Sequence, residues 1–266
     1  FNNQNILIYG FGKSGRACFK YLRKNNKIEI YDDKKSSIPK NLKKNSINKT
    51  KLTSVNFDRI VVSPGIDINK CTLKKYLSKN KSKIISELDI FYLNNIKNKK
   101  ITITGTNGKS TTSKLLYDVL KKHGKDVRLV GNIGNPLLSE KNIRISTIFV
   151  IEASSYQIEY SKYFKTDFAI ILNISPNHLE RHRTFKNYIK SKFRLIKSQK
   201  KNSFAFIEKN NNFLKEELKK NKINSKIIKV NLKISNKIKK KIKNPYFENK
   251  NNLNNLKFVL EISKKL

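Results

Sequence analysis

The chain has 266 residues, enough for two domains with substantial cores, and 37 % of them are hydrophobic, low but still globular. No stretch approaches the ~18 apolar residues of a membrane span and no signal-peptide pattern opens the sequence, so a cytoplasmic protein without a membrane partner is expected. The formal charge of +40 would suit a polyanion, but the lysines are scattered through every segment among Asn and Ile, with no basic groove interleaved with aromatics. That distribution excludes a specific nucleic-acid partner and leaves a general attraction for small phosphorylated substrates.

The first segment opens with the apolar run Ile6-Leu7-Ile8-Tyr9, turns through Gly10-Phe11-Gly12-Lys13-Ser14-Gly15 and continues as a helix to about Lys24. A second strand, Ile28 to Tyr31, ends in Asp32. This is a βαβ start with a G-x-G-x-x-G turn and an acidic residue about 20 positions on. Read functionally, the turn puts a nucleotide's phosphates on the helix N-terminus and Asp32 near a ribose or base; read plainly, it is a tight strand-to-helix turn. Arg59 to Val62 forms a buried strand ending in Ser63-Pro64-Gly65, and Lys83 to Ile85 another leading into Glu87. Cys18 and Cys71 lie far apart without metal-ligand spacing.

The polar stretch Asn94 to Lys100 separates this unit from the next, giving domains 1–97 and 98–266. Strand 101–104 then runs into Gly105-Thr106-Asn107-Gly108-Lys109-Ser110-Thr111 and a helix from Ser110 to about His123, with Leu115, Leu116, Val119 and Leu120 at helical spacing and Gly124 as C-cap. The loop is two residues shorter than G-x-x-x-x-G-K-[ST], but its chemistry is the same. Backbone N–H groups from Gly105 to Lys109 point at phosphate oxygens, the Lys109 ammonium neutralises β/γ charge and the Ser110 hydroxyl reaches Mg²⁺. ATP is the nucleotide expected.

In an open parallel sheet the ligand lies beyond the carboxyl ends of the strands. Glu152, directly after Ile148-Phe149-Val150-Ile151 and followed by Ser154 and Ser155, is placed to hold Mg²⁺ there. Asn173-Ile174-Ser175-Pro176-Asn177-His178 follows the strand Phe168 to Leu172 and brings an imidazole to the same edge in a catalytic or metal role. In the next helix, which Thr184 can cap, Phe185, Tyr188, Ile189, Phe193 and Ile196 form one apolar stripe, and Lys192 falls on it. An inward lysine has its pKa lowered and can react as a neutral amine with CO₂ to give a carbamate, an oxygen ligand for Mg²⁺; a lysine that snorkels to water fits the same spacing. Beyond Ser203, weak strands in a Lys/Asn-rich region lead to a final helix from about Leu253.

Together these residues resemble the Mur ligases. Ile101-Thr-Ile-Thr-Gly-Thr-Asn-Gly-Lys-Ser-Thr111, Gly131-Asn132-Ile133-Gly134, Asn173 to His182 and Tyr188-Ile-Lys-Ser-Lys192 carry the likeness, and Glu152-Ala-Ser-Ser-Tyr-Gln-Ile-Glu159, Ser63-Pro64-Gly65-Ile66 and Ser86-Glu87-Leu88-Asp89 point to the branch that adds D-glutamate. The resemblance implies an α/β fold: a Rossmann-like nucleotide-binding domain followed by a P-loop-type central ATPase domain with a mostly parallel sheet. It implies an ATP-dependent ligase of peptidoglycan synthesis acting, as a monomer, on UDP-N-acetylmuramoyl-L-alanine and D-glutamate through an acyl phosphate. Lys109, Ser110 and Thr111 would bind ATP phosphates and metal. Glu152, His178 and carbamylated Lys192 would hold Mg²⁺, Asn132 and Ser154 would meet the substrate, and Ser14, Gly15 and Asp32 would sit at the uridine end. In Asn251-Asn252-Leu253-Asn254-Asn255, Asn252 and Asn255 would approach adenine. Lys13 and Asp33-Lys34 depart from the family's pattern at the uracil end. The absence of any methionine, Phe1 at the first position, and a third, amino-acid-binding domain that the family places after the last helix imply a piece of a longer product. Another Mur ligase, a folylpolyglutamate-synthetase-like ligase and an inactive nucleotide-binding remnant are the alternatives.

Overall fold

A computed structural model of the chain describes residues 1–233, 235 and 240–266. They divide into two compact units, one of residues 1–96 with 136–141 and 159–164, the other of residues 97–135, 142–158 and 165–266. No helix among the described residues is long and apolar enough to cross a membrane.

The first unit contains β1 (Asn5–Tyr9), α1 (Lys13–Leu22), β2 (Lys27–Tyr31), β3 (Arg59–Val62), α2 (Lys74–Lys79), β4 (Ile84–Ile85) and α3 (Glu87–Asn94). Its four strands pair in parallel in the order β2-β1-β3-β4. Both faces of such a sheet are covered, which explains why β1 and β3 read as unbroken apolar runs rather than alternating ones. Leu7, Tyr9, Ile60, Val62 and Leu77 meet in one core with Phe57. Helix α1 buries Gly15, Cys18, Phe19 and Leu22, a 3–4 spacing that gives one inward face. It stops at Leu22 instead of Lys24, because the Asn26 amide donates to the Leu22 carbonyl at 2.9 Å and turns the chain. Ser86 caps α3 reciprocally: Ser86 Oγ accepts from the Asp89 N–H at 3.2 Å and an Asp89 oxygen accepts from the Ser86 N–H at 2.9 Å.

The second unit holds β5 (Lys99–Thr104), α4 (Lys109–Lys122), β6 (Val127–Gly131), β7 (Ile148–Glu152), α5 (Ser155–Glu159), β8 (Phe168–Ile171), α6 (Leu179–His182), α7 (Phe185–Lys197), β9 (Phe204–Glu208), α8 (Asn212–Lys220), β10 (Lys226–Val230) and α9 (Lys250–Ser263). The six strands are parallel in the order β10-β9-β8-β5-β7-β6. After β5 the chain crosses to the edge at β6, comes back to β7 beside β5 and then builds outward through β8, β9 and β10 on the other side, so β5 is the switch point where a ligand crevice opens. The fold class expected from the sequence is therefore the one observed.

The second unit departs from expectation at the start of β5, at β6 and at the start of the last helix. β5 begins two residues early, inside the stretch read as a linker, because the buried Lys100 is satisfied there: its backbone N–H donates to Asp167 Oδ2 at 2.8 Å and its ammonium to the Asn98 carbonyl. Burial pushes the Lys100 pKa down to about 8, with Asp167 opposing the fall. β6 was not visible in the sequence, being an edge strand interrupted by Arg128. The last helix starts at Lys250 instead of Leu253, since Asn249 Oδ1 accepts from the Asn251 N–H at 2.8 Å and provides an N-cap.

Candidate functional site

Register alone brings the phosphate loop and the carboxylate together. Ile103 of β5 is level with Glu152 of β7, and Glu152 is level with Gly131 of β6, so the loop, the acid and Asn132 leave the sheet side by side. Glu152 is 1 % exposed, and both its oxygens are used. Oε2 accepts from Ser110 Oγ at 2.8 Å and Oε1 from the Asn132 amide at 2.9 Å, while the Asn132 N–H donates to the Glu152 carbonyl at 3.0 Å. Three residues the sequence put in one site thus form one hydrogen-bonded line.

Lys192 resolves the choice its spacing left open. It is 2 % exposed on α7, its ammonium donates to the Gly105 carbonyl at 2.9 Å and Thr104 Oγ1 at 3.3 Å, and it lies 4.7 Å from the Tyr188 ring centroid. The side chain points inward and does not snorkel. Burial, reinforced by the Lys109 charge and opposed by Glu152, pushes its pKa down to about 7, which leaves a substantial share of neutral amine. Lys109 is turned back on the loop, donating to the carbonyls of Gly105 at 3.1 Å and Thr106 at 2.8 Å. Burial lowers its pKa as well, against the pull of Glu152. Two ammoniums therefore crowd the Gly105 carbonyl, an arrangement that an arriving polyanion would relieve.

The loop departs from expectation in its amides. Not all N–H groups from Gly105 to Lys109 face outward: Thr106 N–H donates to the Asn173 carbonyl at 3.0 Å and Asn107 N–H to Asn173 Oδ1 at 2.8 Å, with the Asn173 amide returning a bond to the Asn107 carbonyl at 3.0 Å. Asn173 is the loop's organiser, and its position just past β8 was the available signal. Thr106 Oγ1 also meets Tyr188 Oη at 3.1 Å. At the helix start, Gly108 has φ +80° and no side-chain cap, leaving α4 amides for a ligand, and Thr111 in the first turn is half-buried. A Cβ on Gly108 would lie 2.4 Å from Asn255 Oδ1, so Asn255 of α9 packs directly on the loop. Asn252, expected beside it, instead donates to the Tyr246 carbonyl at 2.9 Å. Gly108→Ala combines a left-handed φ with this overlap and is expected to cost about 2 kcal/mol of stability and to weaken ATP binding at least tenfold, measured by thermal melting and calorimetric titration.

His178 sits in the left-handed region at φ +54°, its ring 5.0 Å from that of Tyr156 and 6.4 Å from that of Tyr188, with Nδ1 3.6 Å from Glu180. It reaches the Lys192 neighbourhood through the Tyr188 ring. His182 is the buried imidazole of this segment: Nε2 and Ser155 Oγ are 2.9 Å apart, and its ring packs on Tyr156 and Tyr188. Burial, with Arg181, Lys192 and His178 nearby, pushes its pKa down to about 4 and keeps it neutral near pH 7. Ser154 is tied to Gln157, whose Oε1 accepts from the Ser154 N–H at 2.9 Å and hydroxyl at 3.1 Å. His182 and Gln157 stand inside motifs quoted from the sequence, but only the fold gives them partners.

In the first unit, Asp32 closes the glycine turn: Oδ2 accepts from the Phe11 N–H at 2.6 Å and Oδ1 from the Lys34 N–H at 2.8 Å. Ser14 is half-buried at the start of α1, and Gly15 is buried one residue on. Among the described residues no three His, Cys, Asp or Glu side chains gather into a metal cluster. The donors that are present, a hydroxyl on a carboxylate beside a phosphate loop, suit a cation that takes the rest of its oxygens from phosphate and water.

Comparison with known proteins identifies the family. Residues 103–263 match the Mur ligase middle domain and residues 4–86 the Mur ligase MurD-like N-terminal domain. The chain is 40 % identical over 221 residues to a UDP-N-acetylmuramoylalanine–D-glutamate ligase of Elusimicrobium minutum, covering 78 % of the chain and 48 % of that protein. It is 34 % identical over 224 residues to the ligase of the same name from Caldicellulosiruptor bescii, covering 80 % and 49 %. The chain spans about half the length of the curated relatives it matches. In fold it is similar to the crystal structure of a UDP-N-acetylmuramate:L-alanyl-gamma-D-glutamyl-meso-diaminopimelate ligase from Neisseria meningitides, with TM-score 0.55 at 15 % identity over 85 % of the chain and 78 % of that structure.

Proposed function

The chain belongs to the Mur ligase family, and on that premise we propose that it supplies the substrate-binding and ATP-binding units, residues 1–97 and 98–266, of the cytoplasmic, monomeric ligase that joins D-glutamate to UDP-N-acetylmuramoyl-L-alanine. The observation that carries this reading is the line Ser110–Glu152–Asn132 at the sheet's switch point, with the Lys109 and Lys192 ammoniums on the Gly105 carbonyl beside it. A hydroxyl, a carboxylate and the Lys109 cation around one turn are what a triphosphate requires.

The reaction has two displacements. The alanyl carboxylate oxygen attacks the γ-phosphorus, the bond to the β-bridging oxygen breaks and ADP leaves; the D-glutamate amine then attacks the acyl carbon, phosphate departs with the C–O electron pair, and the amine proton goes to solvent. Lys109 would exchange its two carbonyl bonds for phosphate oxygens, a swap that places its charge where negative charge builds up. Mg²⁺, held by Ser110 and Glu152 with His178 and the Lys192 carbamate as further ligands, would supply charge neutralisation on the phosphates. The carbamate itself needs only the neutral Lys192 amine, which adds to CO₂ and releases a proton. Asn132 and Ser154 would position the muramoyl end, and Ser14, Gly15 and Asp32 the uridine end. Asn255, resting on Gly108, would support the ATP site from α9.

Phosphate release by the complete gene product tests this. It is expected with ATP, D-glutamate and UDP-N-acetylmuramoyl-L-alanine, and not with UDP-N-acetylmuramate and L-alanine; the reverse selectivity would overturn the assignment.

A further inference from the structure

The motif Ser86-Glu87-Leu88-Asp89 marks the family branch but has no part in the chemistry above. In the first unit its aspartate anchors a segment that comes late in the sequence. Glu87 is buried at the start of α3, 5 % exposed. Asp89 is fully buried and holds residues 159–164. Its Oδ1 accepts from the N–H groups of Lys162 at 2.9 Å, Tyr163 at 2.7 Å and Phe164 at 3.0 Å, and Oδ2 from Ser86. A carboxylate that accepts several backbone N–H bonds at once fixes all the donors against one another.

The segment so fixed delivers Tyr160 into the unit's core, 6 % exposed. Tyr160 Oη donates to the Ile66 carbonyl at 2.8 Å and accepts from the Ile68 N–H at 3.3 Å. Ile66 directly follows Ser63-Pro64-Gly65, and that turn forms the floor under the glycine-rich loop. Ser63 Oγ donates to the Gly10 carbonyl at 2.6 Å. Gly10 has φ +91°, and a Cβ there would come within 2.8 Å of Ser63 Cβ and 3.1 Å of Ile66 Cγ1. The first glycine of the loop thus rests on Ser63 and on Ile66, whose carbonyl Tyr160 holds.

We propose that Asp89 and Tyr160 are positioning residues of the uridine site, in which the α3 carboxylate fixes residues 162–164, Tyr160 fixes Ile66, and Ile66 with Ser63 sets the shape of the Gly10–Gly15 turn that receives the nucleotide. The inference rests on the reading of the first unit as the UDP end. It assigns work to a segment that begins seven residues past Glu152 and touches no reacting atom.

Titration of UDP into the 266-residue chain, with a non-hydrolysable ATP analogue as the control ligand, tests it. Tyr160→Phe removes one hydroxyl and keeps the packing, so the chain folds; its UDP Kd is expected to rise about fivefold with the Kd for the ATP analogue unchanged. Asp89→Asn turns an amide toward backbone N–H groups and is expected to weaken UDP further in the same selective way. A Tyr160→Phe chain that binds UDP as tightly as the unaltered one overturns the inference, and so does an equal loss for both ligands. An unaltered chain that binds the ATP analogue but not UDP overturns the uridine reading itself, and the inference with it.

Discussion

Lys192→Met is expected to leave the fold intact, to be at least as stable as the unaltered chain at pH 7, and to reduce ligation about a hundred- to a thousandfold. The side chain is 2 % exposed among Tyr188 and the β5 end, where an unbranched apolar residue of the same length fits. Its ammonium stabilises the fold little, since burial has already pushed the pKa down to about 7. Stability carries the sign of that shift. The unfolded chain keeps this proton up to its ordinary pKa near 10.5, whereas the folded chain releases it near 7, so between those values the unfolded state binds more protons and stability rises with pH. Below pH 7 the burial penalty is present in full. From pH 7 to 9 the unaltered, metal-free chain should gain about 2 kcal/mol that Lys192→Met lacks, whatever the other lysines contribute equally to both. Thermal melts of the two chains at pH 7 and 9 measure the difference. Melts that shift in parallel would show that the ammonium is not buried as described, and unchanged ligation would remove Lys192 from the site.

The four groups placed in the proposed site were legible because each announces itself locally. Lys109 and Ser110 follow a glycine turn after a strand, Glu152 ends an apolar run, and Lys192 breaks an apolar stripe in polarity but not in spacing. Their mutual contacts were not legible, because register sets them: nothing in the local sequence says that Ile103 is level with Glu152, or Glu152 with Gly131. The same holds for Asn173 and Asn255. Each lies far along the chain from the loop it supports, so sequence could place them near nucleotide but not on the loop's own backbone. Residues 159–164 show the limit most clearly. Their hydrogen bonds are main-chain donors to one distant carboxylate, and main-chain donors leave no trace in side-chain pattern.

Glu152→Gln separates charge from packing in the line Ser110–Glu152–Asn132. The amide has the same shape, and Ser110 can accept where it formerly donated: Nε2 then gives a hydrogen bond to Ser110 Oγ while Oε1 still receives the Asn132 amide. Stability should change by less than about 1 kcal/mol. Function loses much more, because the carboxylate is the negative charge set among Lys109, Lys192 and the metal oxygens. A fall of about a thousandfold in kcat is expected, with a matching loss in the Mg²⁺ dependence of ADP binding. A second readout follows from electrostatics. Glu152 raises the pKa values of both Lys109 and Lys192 against burial, so its neutralisation should move the stability gain attributed to Lys192 to lower pH. Glu152→Ala, in contrast, strands the Ser110 hydroxyl and the Asn132 amide and should cost about 2–4 kcal/mol of stability besides. A Glu152→Gln protein that melts normally and still ligates at the unaltered rate would show that the carboxylate holds the loop in shape and takes no part in the reaction.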